Sequence, residues 1–343
     1  MAASLLSLIS VPALIWLHGC SYNPPVIEKE CLLMGTVVRI QAAVGGGVGA
    51  KKADEAVDKA FEEMVRVEGI FSAYDASSEV SAVNRLAKGE EAKVSAEAFY
   101  LINRAIEYGQ KTNGAFDITV KPLIDLWAKA KSEGKVPAEA DIREAMEKTG
   151  PGSVMLDKSR HTVLFAKSGM ALDLGGVAKG YAVARAVKVL KESGIKSAIV
   201  HAGGDMYCLG YKVGRRPWKV GIRHPRDSRA IVYELEVKDK SVDTSGDYER
   251  YFMIGNKRYS HIIDPRTGMP VGDDIVSVTV IADDPAIGDM YSTALCVLGE
   301  DGMRLAEKEG IDVALVRKSG AGYKVLMTEG FIKRYNAKEK SKL

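Results

Sequence analysis

SVDTSGDYERYFMIGNKRYSHIIDPRTGMP, residues 241–270, is the stretch on which the reading of the fold turns. Thr244-Ser245-Gly246 reads as a small-residue turn. Tyr251-Phe252-Met253-Ile254 and Arg258-Tyr259-Ser260 flank Gly255-Asn256-Lys257, the pattern of a β-hairpin. Asp264-Pro265-Arg266-Thr267-Gly268 sets Pro second in a turn and Gly near its exit, where a fixed φ and then a free one are wanted. His261 stands between hairpin and turn. A hydroxyl-rich turn, one histidine and an Asp-Pro turn can face one pocket. The plain alternative is a hairpin with ordinary turn chemistry.

Strands continue on both sides of this stretch. Trp218 to Ile222, Ile231 to Val237 and Ile275 to Ala282 read as strands, as do Asp312 to Arg317 and Tyr323 to Met327. Cys31 to Ala43 reads as one strand interrupted at Met34-Gly35-Thr36, a bulge or close backbone approach. Val154 to Asp173 holds three short strands, the last being Met170 to Asp173. Helices intervene: Ala50 to Ile70 with apolar residues at helical spacing, Ser95 to Lys111 with a serine cap, and Ala138 to Lys148. Residues 129–152 read as a surface excursion. Strands mostly follow strands, so the chain is α+β, with mostly antiparallel sheets and flanking helices.

The totals exclude little but do exclude something. At 343 residues, 46% hydrophobic and 27% charged, the chain can bury a core, and a net charge of +3 gives no footprint for nucleic acid. Cys20, Cys31, Cys208 and Cys296 are too spread to form a zinc-like spacing. Residues 1–19 hold no Lys, Arg, Asp or Glu and have the length of a signal-peptide apolar region. They end in Leu17-His18-Gly19-Cys20, which resembles a bacterial lipobox, although no positive charge precedes it and His18 is unusual there. The expectation is a signal peptide (1–19), a lipidated Cys20 with a tether (20–30), and an exported lipoprotein.

Three motifs suggest anion or cation chemistry. Met170-Ala171-Leu172-Asp173 runs into Leu174-Gly175-Gly176-Val177-Ala178-Lys179-Gly180, with a helix expected from about Tyr181. Strand, paired glycines and helix can present backbone N–H groups to a phosphate, though most such turns are only tight connections. It matches neither a Walker A motif nor a Rossmann fingerprint. A second strand–glycine junction lies at Ala202-Gly203-Gly204-Asp205. Pro285 suits a helix start, which puts Asp289 and Thr293 one turn apart on one face. That is an oxygen pair suited to Mg²⁺ or, more plainly, a solvated or capping pair.

These elements, with Ser72-Ala73-Tyr74-Asp75, Ser78-Glu79-Val80-Ser81, Asn84 and Gly114-Ala115-Phe116-Asp117-Ile118-Thr119, together resemble the FAD:protein FMN transferases, the ApbE-like family. Thr244-Ser245-Gly246-Asp247-Tyr248 and His261-Ile262-Ile263-Asp264-Pro265-Arg266-Thr267-Gly268 follow in the family's order. The resemblance covers about residues 32 to 330. It implies an ApbE-like, T-fold-related unit of two interleaved subdomains, with a transferase domain over 31–335 and a basic tail over 336–343. It also implies a Mg²⁺-dependent enzyme outside the cytoplasm. Such an enzyme moves FMN from FAD onto a Thr or Ser of a partner, the flavin-accepting subunit of a membrane redox complex, and releases AMP. On this resemblance Met34, Tyr74, Ala115, Phe116, Asp117, Asp173, Lys179 and Ile263 hold FAD. Asp289, Thr293, the Gly176 carbonyl and, more weakly, Ser292 hold the metal.

His261 is the candidate base. A hydroxyl becomes a nucleophile when a base within reach takes its proton, and a histidine suits that task. His261 adjoins both the hydroxyl-rich stretch and the Asp-Pro turn, while His201, before Gly203-Gly204, is its competitor. Tyr74 or Phe116 can stack on a flat ring. Two other functions fit the same residues: an FAD pyrophosphatase that passes FMN to water, and a lipoprotein that binds FAD without turnover.

Overall fold

The computed structural model describes residues 25–212, 215–227, 229–248, 250–320 and 322–341. The expected signal segment, Cys20 and the start of the tether lie outside the described residues. Cys31 to Ala43 is not one bulged strand. β1 (Val26–Leu33) and β2 (Thr36–Ala43) pair along their whole length, and Met34 and Gly35 form the two-residue turn, with φ of 52° and 67°. Positive φ at both turn residues lets so short a loop match the twist of its strands. β1 also takes in residues 26–30, expected as tether.

α1 (Ala50–Phe71) buries Ala56, Ala60, Met64 and Val67, the stripe its spacing suggests. Ser78 caps α2 (Glu79–Asn84) and Ser95 caps α3 (Ala96–Lys111), each hydroxyl accepting the N–H three residues on. β3 (Glu91–Lys93) lies between them. α4 (Lys121–Glu133) and α5 (Glu139–Glu147) pack on each other, and β4 (Val154–Asp157) and β5 (Thr162–Phe165) join β3 in a small sheet.

The strand expected at Met170 to Asp173 does not form. The Asn84 side-chain amide takes the place of a neighbouring strand: Nδ2 donates to the Leu172 carbonyl at 2.8 Å and Oδ1 accepts the Leu172 N–H at 2.6 Å. The Asp173 N–H donates to the Ile118 carbonyl. With its polar groups satisfied this way, the segment stays extended without joining a ladder. It leads into α6 (Ala178–Glu192), which starts three residues earlier than expected and so carries Lys179 in its first turn.

The remaining elements run β6 (Ala198–Ala202), β7 (Asp205–Leu209), β8 (Trp218–Arg223), β9 (Ile231–Val237), β10 (Lys240–Gly246), β11 (Tyr251–Ile254), β12 (Lys257–Ser260), β13 (Ile263–Asp264), β14 (Met269–Pro270), β15 (Ile275–Ala282), α7 (Pro285–Leu298), α8 (Glu300–Glu309), β16 (Asp312–Ser319), β17 (Gly322–Met327), α9 (Glu329–Arg334) and β18 (Lys338–Glu339). An antiparallel sheet of eight strands, β1-β2-β6-β7-β10-β15-β16-β17, forms the centre. Thr244-Ser245-Gly246 therefore ends a central strand rather than making a turn. Period-two alternation divides that strand: Val242 joins the core on one face, while Asp243 and Ser245 face α7 on the other.

Helices α1, α6, α7 and α8 cover one face of the sheet. The small sheet β18-β9-β8 and α9 cover part of the other, around Trp218, Leu235, Phe331 and Tyr335. The expected basic tail is partly structured, since Lys338 and Glu339 pair with β9. A separate cluster unites α4 and α5 with the β11–β12 hairpin, through Leu123, Trp127, Tyr259 and Ile263. α4 and α5, which hold much of the expected surface excursion, thus prop the Asp-Pro turn: Gly268 leaves room for Ile142 and Met146, and the Trp127 indole N–H donates to the Gly268 carbonyl at 2.9 Å.

Candidate active site

The site forms where the start of α6, the first three turns of α7 and the end of β10 meet. Their approach needs glycine. A Cβ on Gly180 would lie 2.3 Å from the Pro285 carbonyl oxygen, and one on Gly288 would lie 1.7 Å from Asp243 Oδ2. Asp284 caps α7 at the Ala286 N–H and pairs with Arg104 of α3 at 2.7 Å, which fixes the helix entry. The Asp289 carboxylate accepts the Gly180 N–H at 3.1 Å. Thr293 lies one turn on, its Oγ1 3.2 Å from where a Cβ on Gly176 would stand. Ser292 is turned aside: its hydroxyl donates to the Asp289 carbonyl at 3.0 Å and shares a 2.8 Å hydrogen bond with Ser245.

Behind this lies a buried charge cluster. Asp205, Asp243 and Asp289 are each at most 1% exposed. Asp205 and Asp243 stand directly opposite on β7 and β10, where like charges repel. Lys179 enters among them, its Nζ 2.6 Å from Asp205 and 3.4 Å from both Asp289 oxygens. Burial alone would lower the Lys179 pKa, but Asp205 and then Asp289 outweigh it and raise it. Burial and the Asp205 charge raise the pKa of both Asp289 and Asp243. Asp243 accepts the Ser241 hydroxyl at Oδ2, while its buried Oδ1 meets no hydrogen-bond partner among the described residues. The unpartnered Asp243 Oδ1 and the raised pKa of Asp243 and Asp289 show that these two carboxylates favour a further cation or proton.

His261 follows β12. Its Nδ1 lies 2.7 Å from the Arg250 carbonyl, and because a carbonyl only accepts, Nδ1 carries the proton and Nε2 keeps its lone pair. Desolvation lowers the ring's pKa to about 4, and the charges of Arg250 and Lys179 act the same way against the raising effect of that carbonyl. The ring is thus neutral near pH 7 and able to accept a proton. Arg250 also donates from Nη2 to the Gly35 carbonyl at 2.7 Å, tying His261 to the β1–β2 turn.

The ApbE family model matches residues 34–315. An FAD:protein FMN transferase of Klebsiella pneumoniae is 36% identical over 270 residues, 78% of this chain and 84% of the relative. The crystal structure of the ApbE protein of Thermotoga maritima superposes with a TM-score of 0.80 at 34% identity, covering 90% of this chain and 98% of that one. The flavin transferase ApbE of Vibrio cholerae gives 0.79 at 29% identity, covering 91% and 100%. The chain belongs to the ApbE family.

In this ApbE-family chain the other candidates divide by what their side chains can still do. Tyr74 is 74% exposed, and its hydroxyl donates to Asp173 Oδ2 at 3.2 Å. Asp173 Oδ1 accepts the Gly175 N–H at 2.7 Å, so Tyr74, Asp173 and the paired glycines form one rim. Phe116 is only 3% exposed, its ring packed under Gly176, and Ala115 is buried, which leaves the open aromatic face to Tyr74. Asp117 is turned inward as well: its Oδ1 accepts both the N–H and the hydroxyl of Thr119, and desolvation raises its pKa. Ile263 packs in the α4–hairpin cluster. Met34 sits in its turn, its N–H held by Glu68 at 2.9 Å.

Asp205, Asp243 and Arg250 were not candidates on sequence. Asp205 directly follows the second glycine pair and Asp243 stands two residues before Ser245, but only the cross-strand register brings them together. A surface hollow between α4 and α5 is lined by none of the candidate residues.

Proposed function

We propose that this ApbE-family protein transfers FMN from FAD to a Thr or Ser hydroxyl of a partner protein and releases AMP. The observation that carries the reading is the packing of Gly176 and Gly180 against Asp289 and Thr293, beside Lys179. It sets an oxygen-only donor set suited to a hard cation against the start of α6, where the Lys179 ammonium supplies positive charge. The relatives named FAD:protein FMN transferase support it.

Mg²⁺ is the ion assigned to Asp289, Thr293 and the Gly176 carbonyl, since a buried, under-neutralised carboxylate beside a hydroxyl fits it; Ser292, with its hydroxyl already engaged, fits less well. When bound, such an ion neutralises phosphate charge and acts as a Lewis acid. The chain's own residues do the rest. Tyr74 offers an open face for a flat ring, on the rim it forms with Asp173 and the paired glycines. Lys179 adds positive charge. As the acceptor hydroxyl attacks the FMN phosphorus, His261 Nε2 takes its proton; the bond from that phosphorus to the bridging oxygen breaks, and AMP leaves with that oxygen.

Export and lipidation at Cys20 are part of the proposal, supported by the uncharged run over residues 1–19 and its Leu-His-Gly-Cys end. Such an anchor would place the enzyme on the periplasmic or outer side of a bacterial membrane, with the flavin-accepting subunit of a membrane redox complex as its partner. Among the described residues no helix is long and apolar enough to cross a membrane.

Intact-mass analysis of an acceptor domain after incubation with enzyme, FAD and Mg²⁺ tests the reading, with AMP followed in parallel. The expected result is an acceptor heavier by one FMN, and a rate reduced roughly 10²- to 10⁴-fold in His261→Ala. Asp289→Ala should lose the Mg²⁺-dependent transfer as well. AMP and free FMN beside an unmodified acceptor would instead indicate hydrolysis, and no AMP under any condition would overturn the enzyme reading.

A further inference from the structure

Lys179 is held unequally. Its ammonium lies 2.6 Å from Asp205 Oδ2 but 3.4 Å from each oxygen of Asp289. Asp205 is on a rigid element, since β7 is hydrogen-bonded to β6 on one side and β10 on the other. Asp289 is fixed from a different direction, by the Gly180 N–H. The ammonium therefore makes a short contact to Asp205 and only a long, two-pronged one to Asp289, at a distance set by Asp205. An ammonium and a divalent cation compete for the same carboxylate oxygens, so this distance bears on whether the site can be loaded.

We propose that Asp205 is a positioning residue that holds Lys179 off Asp289 and so keeps that carboxylate available to a divalent cation. The proposal rests on the assignment of a metal to Asp289. Without the Asp205 charge the long Lys179–Asp289 contact shortens to a tight, charge-assisted pair, which an incoming cation must displace. Asp205 touches neither cation nor substrate in this arrangement; it acts through the lysine.

The test uses Mn²⁺ alone as the probe, with no FAD, on the full chain. Free Mn²⁺ is followed by electron paramagnetic resonance, and circular dichroism checks folding. Asp205→Asn should weaken Mn²⁺ binding roughly 10- to 100-fold, the usual effect of losing an outer-shell partner. The distinguishing readout is the interaction between two sites. Lys179→Met should tighten Mn²⁺ by a much larger factor in the Asp205→Asn background than in the wild type, because only there is the lysine a competitor. Asp205→Ser replaces the amide variant if the latter does not fold.

Equal factors in both backgrounds would overturn the proposal, because Asp205 would then act only through its own charge. So would unchanged Mn²⁺ affinity in Asp205→Asn. A wild type that binds no Mn²⁺, or an Asp289→Ala variant that still binds it, would overturn the metal assignment and the proposal with it.

Discussion

A carbonyl oxygen cannot donate, so Arg250 decides which nitrogen of His261 carries the proton. ¹⁵N-detected NMR of the imidazoles should therefore show His261 as the neutral Nδ1–H form at pH 7, titrating near pH 4. A titration near the ordinary 6.5 would contradict the desolvated setting. The sign for stability follows. Between about pH 6.5 and pH 4 the unfolded chain takes up a proton that the folded ring refuses, so His261 lowers stability as pH falls through that window and is neutral above it. The histidine was legible in sequence because it adjoins two turn-like motifs. The carbonyl that orients it was not, since only the β11–β12 pairing folds Arg250 back over His261. Asp205 and Asp243 were hidden for a related reason: an aspartate in a strand shows its partner only once the register is known.

Among the elements, the contact of α6 with α7 and β10 decides the geometry, and its two glycines fail differently. The Cβ of Gly180→Ala would meet backbone, the Pro285 carbonyl, which cannot move without shifting α7. The Cβ of Gly288→Ala would meet the Asp243 side chain. Each should cost about 3 kcal/mol, the upper range for overpacking, measured from urea unfolding midpoints. Asp243→Ala should recover part of the Gly288→Ala loss and none of the Gly180→Ala loss; equal recovery in both would mean the clash is not with Asp243. Helical spacing made α1 readable, a serine cap α3 and the helix-starting Pro285 α7, and with α7 the Asp289–Thr293 pair. The misreading of Thr244-Ser245-Gly246 as a turn has a physical cause: a central strand that lends one face to a polar site loses the apolar alternation by which strands are recognised.

For the molecule as a whole, the far face of the sheet is closed from the C-terminal end. Phe331 and Tyr335 are buried against Trp218, Leu235 and Ala314, and the Tyr335 hydroxyl donates to Asp312 at 3.0 Å. Ending the chain after Met327 should thus cost roughly 3–6 kcal/mol, two aromatic side chains' worth of burial. Ending it after Tyr335 removes the short pairing of β18 with β9 and the largely exposed contacts of Lys340 and Ser341 beside it, and should shift the urea midpoint much less. Similar losses from the two truncations would show that β18 matters as much as the aromatic plug. The α+β class and the antiparallel sheets were readable from the succession of strands. The strand order was not, because β2 skips to β6 and nothing local records that choice. That skip has a consequence in time. β2 must wait for a partner roughly 160 residues further along the chain, and such non-local closure slows folding. Lys179, Asp205 and Asp289 cannot converge until most of the polypeptide has emerged. On the proposed export as an extended thread, the chain would cross before it can hold flavin or the proposed metal, and would take up both on the far side.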